Sequence, residues 1–173
     1  MSVMPENQVF LASHTPYEAT AWTPSGSGIL TWSVFSIYRA TLWSVGSLTV
    51  SEQGISNPSY ALQFEYLRNI SADYIIEASQ REMLRLGLHT DANIQRWILA
   101  MRGIIPDTSR GDLLWIVFTP GQGVRFLSQK FSQSELLGEI ADAEFCQALA
   151  DIWFHPDCHS AKLRRSLLQE DAA

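Results

Sequence analysis

Residues 60–87, YALQFEYLRNISADYIIEASQREMLRLG, contain a strand that runs directly into a helix. Residues 60–66 alternate apolar and polar side chains, which is the pattern of a strand with one buried face and one wet face. Either Asn69 or Ser71 can cap the helix that follows. Apolar residues then recur at helical spacing up to Gly87, which can adopt the left-handed conformation that ends a helix. The stretch therefore predicts a sheet strand followed by an amphipathic helix.

The flanking sequence predicts further strands and helices in separate groups. Residues 29–43 are rich in β-branched and aromatic residues, which suits one long bent strand or two consecutive strands. Residues 51–59 have the composition of a loop. The expected caps of the downstream helices are Asp91, Asp142 and Ser160. Because strands and helices are segregated rather than alternating, their order favours an α+β fold, with an antiparallel sheet and helices packed on one side.

The length of the chain suits one compact domain with short extensions. Residues 1–27 are polar and rich in turn-forming residues, so they predict a loose N-terminal arm with one short strand near residues 9–11. Residues 28–168 form the predicted domain. Residues 169–173 are expected to be a frayed tail.

Composition and charge exclude some classes of function. The chain has 173 residues, of which 46% are hydrophobic and 17% charged, and a net charge of −6, which fits a globular protein. Its 12 Lys and Arg residues are not clustered, so nucleic-acid binding is not expected. The longest apolar run, residues 113–118, is far shorter than the about 20 residues that span a bilayer. Without a cationic leader region we expect a cytoplasmic protein, or a periplasmic one if a leader has been removed.

Two short motifs resemble chemical sites but have plainer interpretations. His155, Cys158 and His159 lie close in sequence, yet Pro156 prevents a continuous helix from placing the two histidines on one face. No second group of His or Cys residues completes a tetrahedral shell, so we expect a turn between two helices and no metal. The GSG at residues 26–28 lacks the rest of a phosphate-binding motif, so no cofactor is predicted.

Two segments, FSIYRATLW at 35–43 and PSYALQFEYLRNISADYIIEASQREMLRLG at 58–87, resemble the chalcone isomerase-like superfamily, in particular its bacterial branch. Later pieces agree in order, so the resemblance covers residues 28–168. It implies an open-faced β-sandwich, in which helices cover one face of a large antiparallel sheet and a ligand cleft lies between them. In this superfamily the plant isomerases close a chalcone into a flavanone, and related non-catalytic members bind fatty acids in the same cleft.

The resemblance also implies where the polar groups of the isomerases would fall in this chain. Their early-strand arginine would fall near residues 25–31, but the sequence has no Arg or Lys before Arg39. The other four polar positions would fall at Ser36 or Ile37 for a threonine, at Ser71 for a tyrosine, at Ala78 for an asparagine and at Ile152 for the last polar residue. Most of the polar groups of the isomerases are therefore missing.

These expectations favour a non-catalytic protein that binds a small apolar, fatty-acid-like ligand in a cleft between the sheet and the helices. The expected ligand-binding residues combine apolar walls with the few polar positions, and they are Trp32, Phe35, Ser36, Arg39, Tyr66, Ser71, Ile75, Ala78, Ser79 and Ile152. The missing early-strand arginine weakens the fatty-acid version, because lipid-binding relatives use that cation for the carboxylate. Two alternatives remain, a chalcone isomerase-type intramolecular lyase with a rearranged site and an interaction protein without a cleft.

Arg39 is the cation that could replace the missing one. Its guanidinium could hold a carboxylate through two parallel hydrogen bonds if it faced the cleft. It could also be an outward-facing arginine of the sheet, and strand alternation alone does not say which face is inside.

Overall fold

The computed structural model describes residues 6–130 and 133–170 as one sheet with helices on both of its faces. Residues 1–5, 131–132 and 171–173, which include the start of the predicted arm and the end of the predicted tail, lie outside the described residues. The strands are β1 (Trp22–Trp32), β2 (Phe35–Val45), β3 (Val50–Ser51), β4 (Gly54–Ile55), β5 (Tyr60–Tyr66), β6 (Leu113–Thr119), β7 (Gly123–Lys130) and β8 (Gln133–Ile140). The α-helices are α1 (Glu6–His14), α2 (Ala72–Leu86), α3 (Asp91–Arg102), α4 (Ala143–Phe154) and α5 (Ala161–Leu167).

Six strands form an antiparallel sheet in the order β1-β2-β5-β6-β7-β8, and β3 pairs with β4 in a separate small hairpin. The aromatic-rich stretch is two consecutive strands rather than one bent strand, because Ser33 turns the chain with a φ of 56° between β1 and β2. The α+β fold with a large antiparallel sheet is confirmed. Residues 51–59, predicted as a loop, contain part of the β3–β4 hairpin.

The two faces of the sheet are buried by different elements. Alternate residues of β2 and β5, such as Leu42 and Leu62, join the main core under helices α2 to α5. The neighbouring residues in each strand, such as Trp43 and Ala61, face the opposite side of the sheet and join a smaller core with α1. This arrangement follows from the two-residue period of a strand. The predicted helix layer is therefore present on one face, and α1 covers part of the other.

The N-terminal segment differs from its predicted structure. Instead of a short strand near residues 9–11, the chain forms α1, in which Leu11 is fully buried. The Phe10 ring stacks on Trp115 with centroids 5.2 Å apart. The apolar run VFLA at residues 9–12 is too short to show a helical or a strand period, so helix and strand could not be distinguished from the sequence. The predicted loose arm is packed against the sheet from residue 6 onward.

The helix termini follow simple capping rules. Of the two candidates for α2, Ser71 is the cap, since its hydroxyl accepts a hydrogen bond from the Tyr74 amide, and Gly87 ends the helix with a φ of 67°. Asp142 caps α4 as predicted. The prediction for α3 is wrong by one residue, because Thr90 is the cap and Asp91 begins the helix. Within residues 6–130 and 133–170, the helices are too short or too polar to cross a bilayer.

Candidate functional site

Three of the expected binding residues lie on the surface at the β1–β2 turn. Trp32 is 63% exposed and Phe35 is 45% exposed. Ser36 is also exposed, and the guanidinium of Arg68 lies 4.2 Å from the centre of the Phe35 ring. The structure therefore does not place these side chains around an interior space.

Arg39 faces away from the helix layer. Its strand neighbours Tyr38 and Ala40 pack into the main core, so the alternation of β2 sends Arg39 to the opposite face. There its guanidinium pairs with the Glu65 carboxylate at 2.9 Å, and both side chains are about half exposed. The outward-facing interpretation of Arg39 is correct, and the residue does not replace the missing early-strand arginine.

The early-strand arginine has no room at Gly26 or Gly28, because α5 lies directly against β1 there. A Cβ atom added at Gly26 would lie 2.0 Å from the backbone oxygen of Ser166. A Cβ atom at Gly28 would lie 2.9 Å from the Leu163 side chain. Small residues on β1 therefore allow the close approach of α5, and a large cation there would displace the helix.

The remaining expected residues belong to α2, β5 and α4. Ser71 is exposed and caps α2, and Ser79 is buried with its hydroxyl donating to the Ile75 carbonyl at 2.9 Å. Ile75 and Ile152 are half-buried and pack against the main core, and Ala78 is half-buried. Tyr66 is buried. In the structure these residues therefore pack in the core or cap a helix.

Tyr66 belongs to a group of four aromatic side chains between the sheet and α4, which we call the aromatic cluster: Tyr38, Phe64, Tyr66 and Trp153. The ring centroids of Tyr38 and Phe64 are 4.9 Å apart, and those of Phe64 and Trp153 are 5.3 Å apart. The Trp153 indole donates a hydrogen bond to the Tyr38 hydroxyl at 3.0 Å. Burial raises the pKa of Tyr38 well above its usual value, so the phenol stays neutral. This part of the sheet–helix interface is filled by rings.

A cleft of about 500 Å³ opens elsewhere, at the margin of the sheet–helix interface where β5 begins. We call it the α4 cleft, because one face of α4 forms its longest wall. The other walls are the β3–β4 hairpin, the start of β5 at Tyr60, Leu88 after α2, the β6–β7 turn at Pro120, and the residues just after α4. Tyr60 and Tyr66 are at opposite ends of β5, about 20 Å apart. None of the ten expected binding residues lines the α4 cleft.

The spacing of residues along α4 explains which of them line the cleft. Ala143, Gln147, Ala150 and Phe154 recur every three or four residues and therefore share the side of α4 that borders the cleft. The same helix buries Phe145 and Leu149 in the main core. Two small alanines on the cleft side leave room that larger side chains would fill. The helix thus serves both the core and the cleft, because Ala150 and Phe154 line the cleft and are also buried in the main core.

A single buried amide positions the β3–β4 hairpin at the rim of the cleft. The Asn57 side-chain nitrogen donates to the carbonyls of Val45 and Ser47 at 2.9 and 2.8 Å. Its side-chain oxygen accepts from the amide and the hydroxyl of Thr49 at 2.8 and 3.0 Å. These bonds tie both ends of the hairpin to the end of β2, so the rim has a defined position although the hairpin itself is short.

The polar groups of the cleft are two carboxylates, two amides and one imidazole. Asp151 is 7% exposed, and its carboxylate accepts a hydrogen bond from the Gln147 amide at 2.8 Å. Burial raises the pKa of Asp151, while Gln147, His155 and His89 act in the opposite direction. Glu52 adds a second carboxylate from the hairpin, and no Lys or Arg belongs to the described residues that line the cleft.

Two weakly acidic groups of the cleft remain neutral near neutral pH. Burial raises the pKa of the Cys146 thiol to about 11. Burial also raises the pKa of Tyr60 far above its usual value, with further contributions from Cys146 and Asp151. An unreactive thiol and a protonated phenol suit a wall that binds, because neither group is poised to act as a nucleophile.

The His155–His159 segment is a turn between α4 and α5, as expected. The Nδ1 atom of His155 accepts a hydrogen bond from the Asp157 amide at 3.0 Å, and Cys158 is buried. Among the residues that the structure describes, no three His, Cys, Asp or Glu side chains come together as a metal site.

Little in the sequence indicates the α4 cleft. Its walls come from four stretches far apart in the chain, which are residues 52–60, Leu88, residues 120–121 and residues 143–156. The clearest local sign was the pair Ala143 and Ala150, two small residues on one side of α4. Such a pair is compatible with an exposed surface as well as with a cleft, so only the fold distinguishes the two.

Comparison with known proteins agrees with this fold. A family model described as chalcone isomerase-like matches residues 7–169, and the chain therefore belongs to the chalcone isomerase-like family. An uncharacterized protein of Haemophilus influenzae is 28% identical over 169 residues, which cover 95% of this chain and 78% of that protein. This bacterial relative agrees with the predicted bacterial branch. The match begins at residue 7, so it includes most of α1.

A solved structure has the same fold at low sequence identity. The crystal structure of a fatty-acid binding protein of Arabidopsis thaliana superposes with a TM-score of 0.60 and 9% identity, covering 87% of this chain and 88% of that one. This likeness confirms the open-faced sheet with its layer of helices.

Proposed function

We propose that this protein binds a small amphipathic ligand in the α4 cleft. The observation that carries the proposal is the cleft itself, with a volume of about 500 Å³. Ligand pockets typically have volumes of about 300–1,000 Å³ and combine apolar walls with a few polar groups. The apolar wall comes from Ile55, Tyr60, Leu88 and Phe154, and the polar groups come from Asp151 and its neighbours.

The family and the fold neighbour support a lipid-like ligand. The Arabidopsis protein is, by its title, a fatty-acid binding protein. A short alkyl chain would contact the rings of Tyr60 and Phe154, whose centroids are 6.0 Å apart, edge to face. Each buried methylene contributes about 0.8 kcal/mol. A chain of eight carbons therefore provides enough apolar surface for weak but measurable binding.

Isothermal titration calorimetry with n-octanol tests the proposal, because this probe has an alkyl chain and no charge. For the unmodified protein we expect a dissociation constant on the order of 0.1–1 mM. Gln147→Trp places a large ring in the cleft from an exposed position of α4. This variant should bind n-octanol at least about tenfold more weakly.

Gln95→Trp is the matched control, since Gln95 is also an exposed glutamine in a helix but lies on α3, outside the cleft. It should bind like the unmodified protein. Equal affinity of all three proteins would place n-octanol outside the α4 cleft and contradict the proposal. Absence of any saturable binding to the unmodified protein would contradict it as well.

A further inference from the structure

We infer that the ligand of the α4 cleft carries a cationic head group, such as a primary ammonium, and not a carboxylate. This inference rests on the proposed function and adds the chemical class of the ligand. It departs from the fatty-acid-like ligand expected from the sequence, and it follows from the charges that surround the cleft.

The charged side chains that line the cleft favour a cation. Glu52 and Asp151 are carboxylates, whereas Lys and Arg are absent from the described lining residues. A carboxylate ligand would give up its hydration without gaining a cationic partner, which is unfavourable in a half-enclosed site. An ammonium group would instead gain charge-assisted hydrogen bonds to these oxygens.

Asp151 is the side chain best placed to hold the cation. It is 7% exposed, and the hydrogen bond that it accepts comes from the neutral amide of Gln147 at 2.8 Å. A buried carboxylate supported by a neutral donor has unused capacity to accept further bonds. A ligand ammonium would donate charge-assisted hydrogen bonds to the carboxylate oxygens.

The imidazole of His155 does not reverse this preference. Its Nδ1 atom accepts a hydrogen bond from the Asp157 amide at 3.0 Å, so this nitrogen is not free to donate to an anionic ligand. The backbone adds to the preference, because Asp151 and Phe154 belong to the last turn of α4. The carbonyl end of a helix carries partial negative charge and favours cations.

Calorimetry with three probes of equal chain length tests the inference: n-octylammonium, n-octanoate and n-octanol, at pH 7 and moderate salt. We expect n-octylammonium to bind about tenfold or more tightly than n-octanoate. Asp151→Asn removes one charge from the cleft and keeps an oxygen that can accept from Gln147. It should weaken n-octylammonium binding about threefold to tenfold, which is more than it changes n-octanol binding.

Glu52→Gln is a second variant in an exposed turn, where a loss of folding is not expected, and it should weaken n-octylammonium in the same direction. Glu77→Gln is the control for general attraction to an acidic protein, because Glu77 is exposed on α2 outside the cleft. It should change nothing.

The three probes distinguish a failure of the inference about the head group from a failure of the proposed function. If n-octanol binds in the cleft but n-octanoate binds as tightly as n-octylammonium or more so, the inference is wrong and the proposed function stands. If Glu77→Gln weakens n-octylammonium as much as Glu52→Gln does, the attraction is not specific to the cleft and the inference is again wrong. If no probe binds saturably, both are wrong.

Discussion

Asp151 is a carboxylate in the wall of the α4 cleft that is almost entirely removed from water. Burial raises its pKa above the value in the unfolded chain, so the folded state binds the proton more tightly than the unfolded state does. The stability linked to this group is fully present below the ordinary aspartate pKa of about 4 and is lost as the pH rises through the raised value. Near pH 7 the ionised Asp151 carboxylate therefore lowers the stability of the folded protein, and a bound cation would offset this loss.

Asp151→Asn should therefore raise the melting temperature at pH 7 and leave it unchanged near pH 3, where the carboxyl is protonated in both states. Thermal unfolding followed by circular dichroism at both pH values checks this. Glu77→Gln, an exposed carboxylate outside the cleft, should show no such pH-dependent gain. A lower melting temperature of Asp151→Asn at pH 7 would mean that the carboxylate stabilises the folded protein.

Glu82 is a buried carboxylate with the opposite behaviour. Burial acts to raise its pKa, but Arg85 and the His159 amide outweigh burial, so the pKa lies below the usual glutamate value. The Arg85 guanidinium donates to both of its oxygens at 2.6 and 2.9 Å, and the His159 amide donates at 2.6 Å. These bonds tie α2 to the turn that follows α4.

Glu82→Gln should destabilise the protein by about 1–3 kcal/mol at pH 7, because charge-assisted bonds become neutral or are lost. For a carboxyl with a lowered pKa, the stabilisation is present above the ordinary value of about 4.3 and disappears as the pH falls through the lowered value. Urea unfolding at pH 7 and pH 3 measures the difference. An unchanged free energy of unfolding at pH 7 would contradict the role given to these bonds.

At the level of elements, α4 contributes side chains to both the main core and the cleft. Its N-terminal cap, Asp142, fixes the position of the helix. The Asp142 carboxylate accepts from the amides of Glu144 and Phe145 at 2.9 and 3.1 Å and from the Trp97 indole at 3.0 Å. The cap therefore satisfies two backbone amides that have no partner within α4, and it also joins α4 to α3. A shift of α4 would alter the longest wall of the cleft.

Asp142→Ala should cost about 1–2 kcal/mol from loss of the cap alone, with a further loss from the unpaired indole of Trp97. Asp91→Ala is the matched control, because Asp91 is the first residue of α3 and Thr90 provides that cap. The control should cost less than about 0.5 kcal/mol. Chemical unfolding of both variants compares them, and equal losses would show that capping does not distinguish the two aspartates.

Sequence patterns predicted the elements that have a clear amphipathic period or a clear cap. The strand–helix stretch of residues 60–87, the cap at Ser71 and the stop at Gly87 are confirmed, because amphipathic periodicity and capping chemistry are local. The expected cap at Asp91 was wrong by one position, because the neighbouring Thr90 is also a good cap. The β3–β4 hairpin was missed because it is held by the distant contacts of Asn57 and not by a pattern of its own.

At the level of the whole molecule, the fold was predictable and the cleft was not. Segregated strands and helices, together with the family resemblance, indicate the sheet and its helix layer. The face of β2 that points toward the helices depends on register, so Arg39 could not be assigned before the fold was known. The cleft forms where three separated segments meet around α4, and the space expected to hold ligand contains the aromatic cluster instead.

The smaller core on the outer face makes α1 part of the fold. Leu11→Ala should destabilise the protein by about 2–5 kcal/mol, because Leu11 is fully buried between α1 and the sheet. Val9→Ala, at a position 47% exposed on the same helix, should cost much less. Chemical unfolding checks both variants. A small loss for Leu11→Ala would mean that α1 contributes little to the folded state.

The location of the ligand is the central claim, and amide chemical-shift mapping by NMR during titration with n-octylammonium tests it most directly. The largest shifts should fall on the walls of the α4 cleft, at Gly54, Gly121, Gln147 and Ala150. They should be small at Ser36 and Ala78, which lie near the space expected from the sequence. Shifts concentrated at Ser36 and Ala78, with the α4 positions unchanged, would contradict the claim.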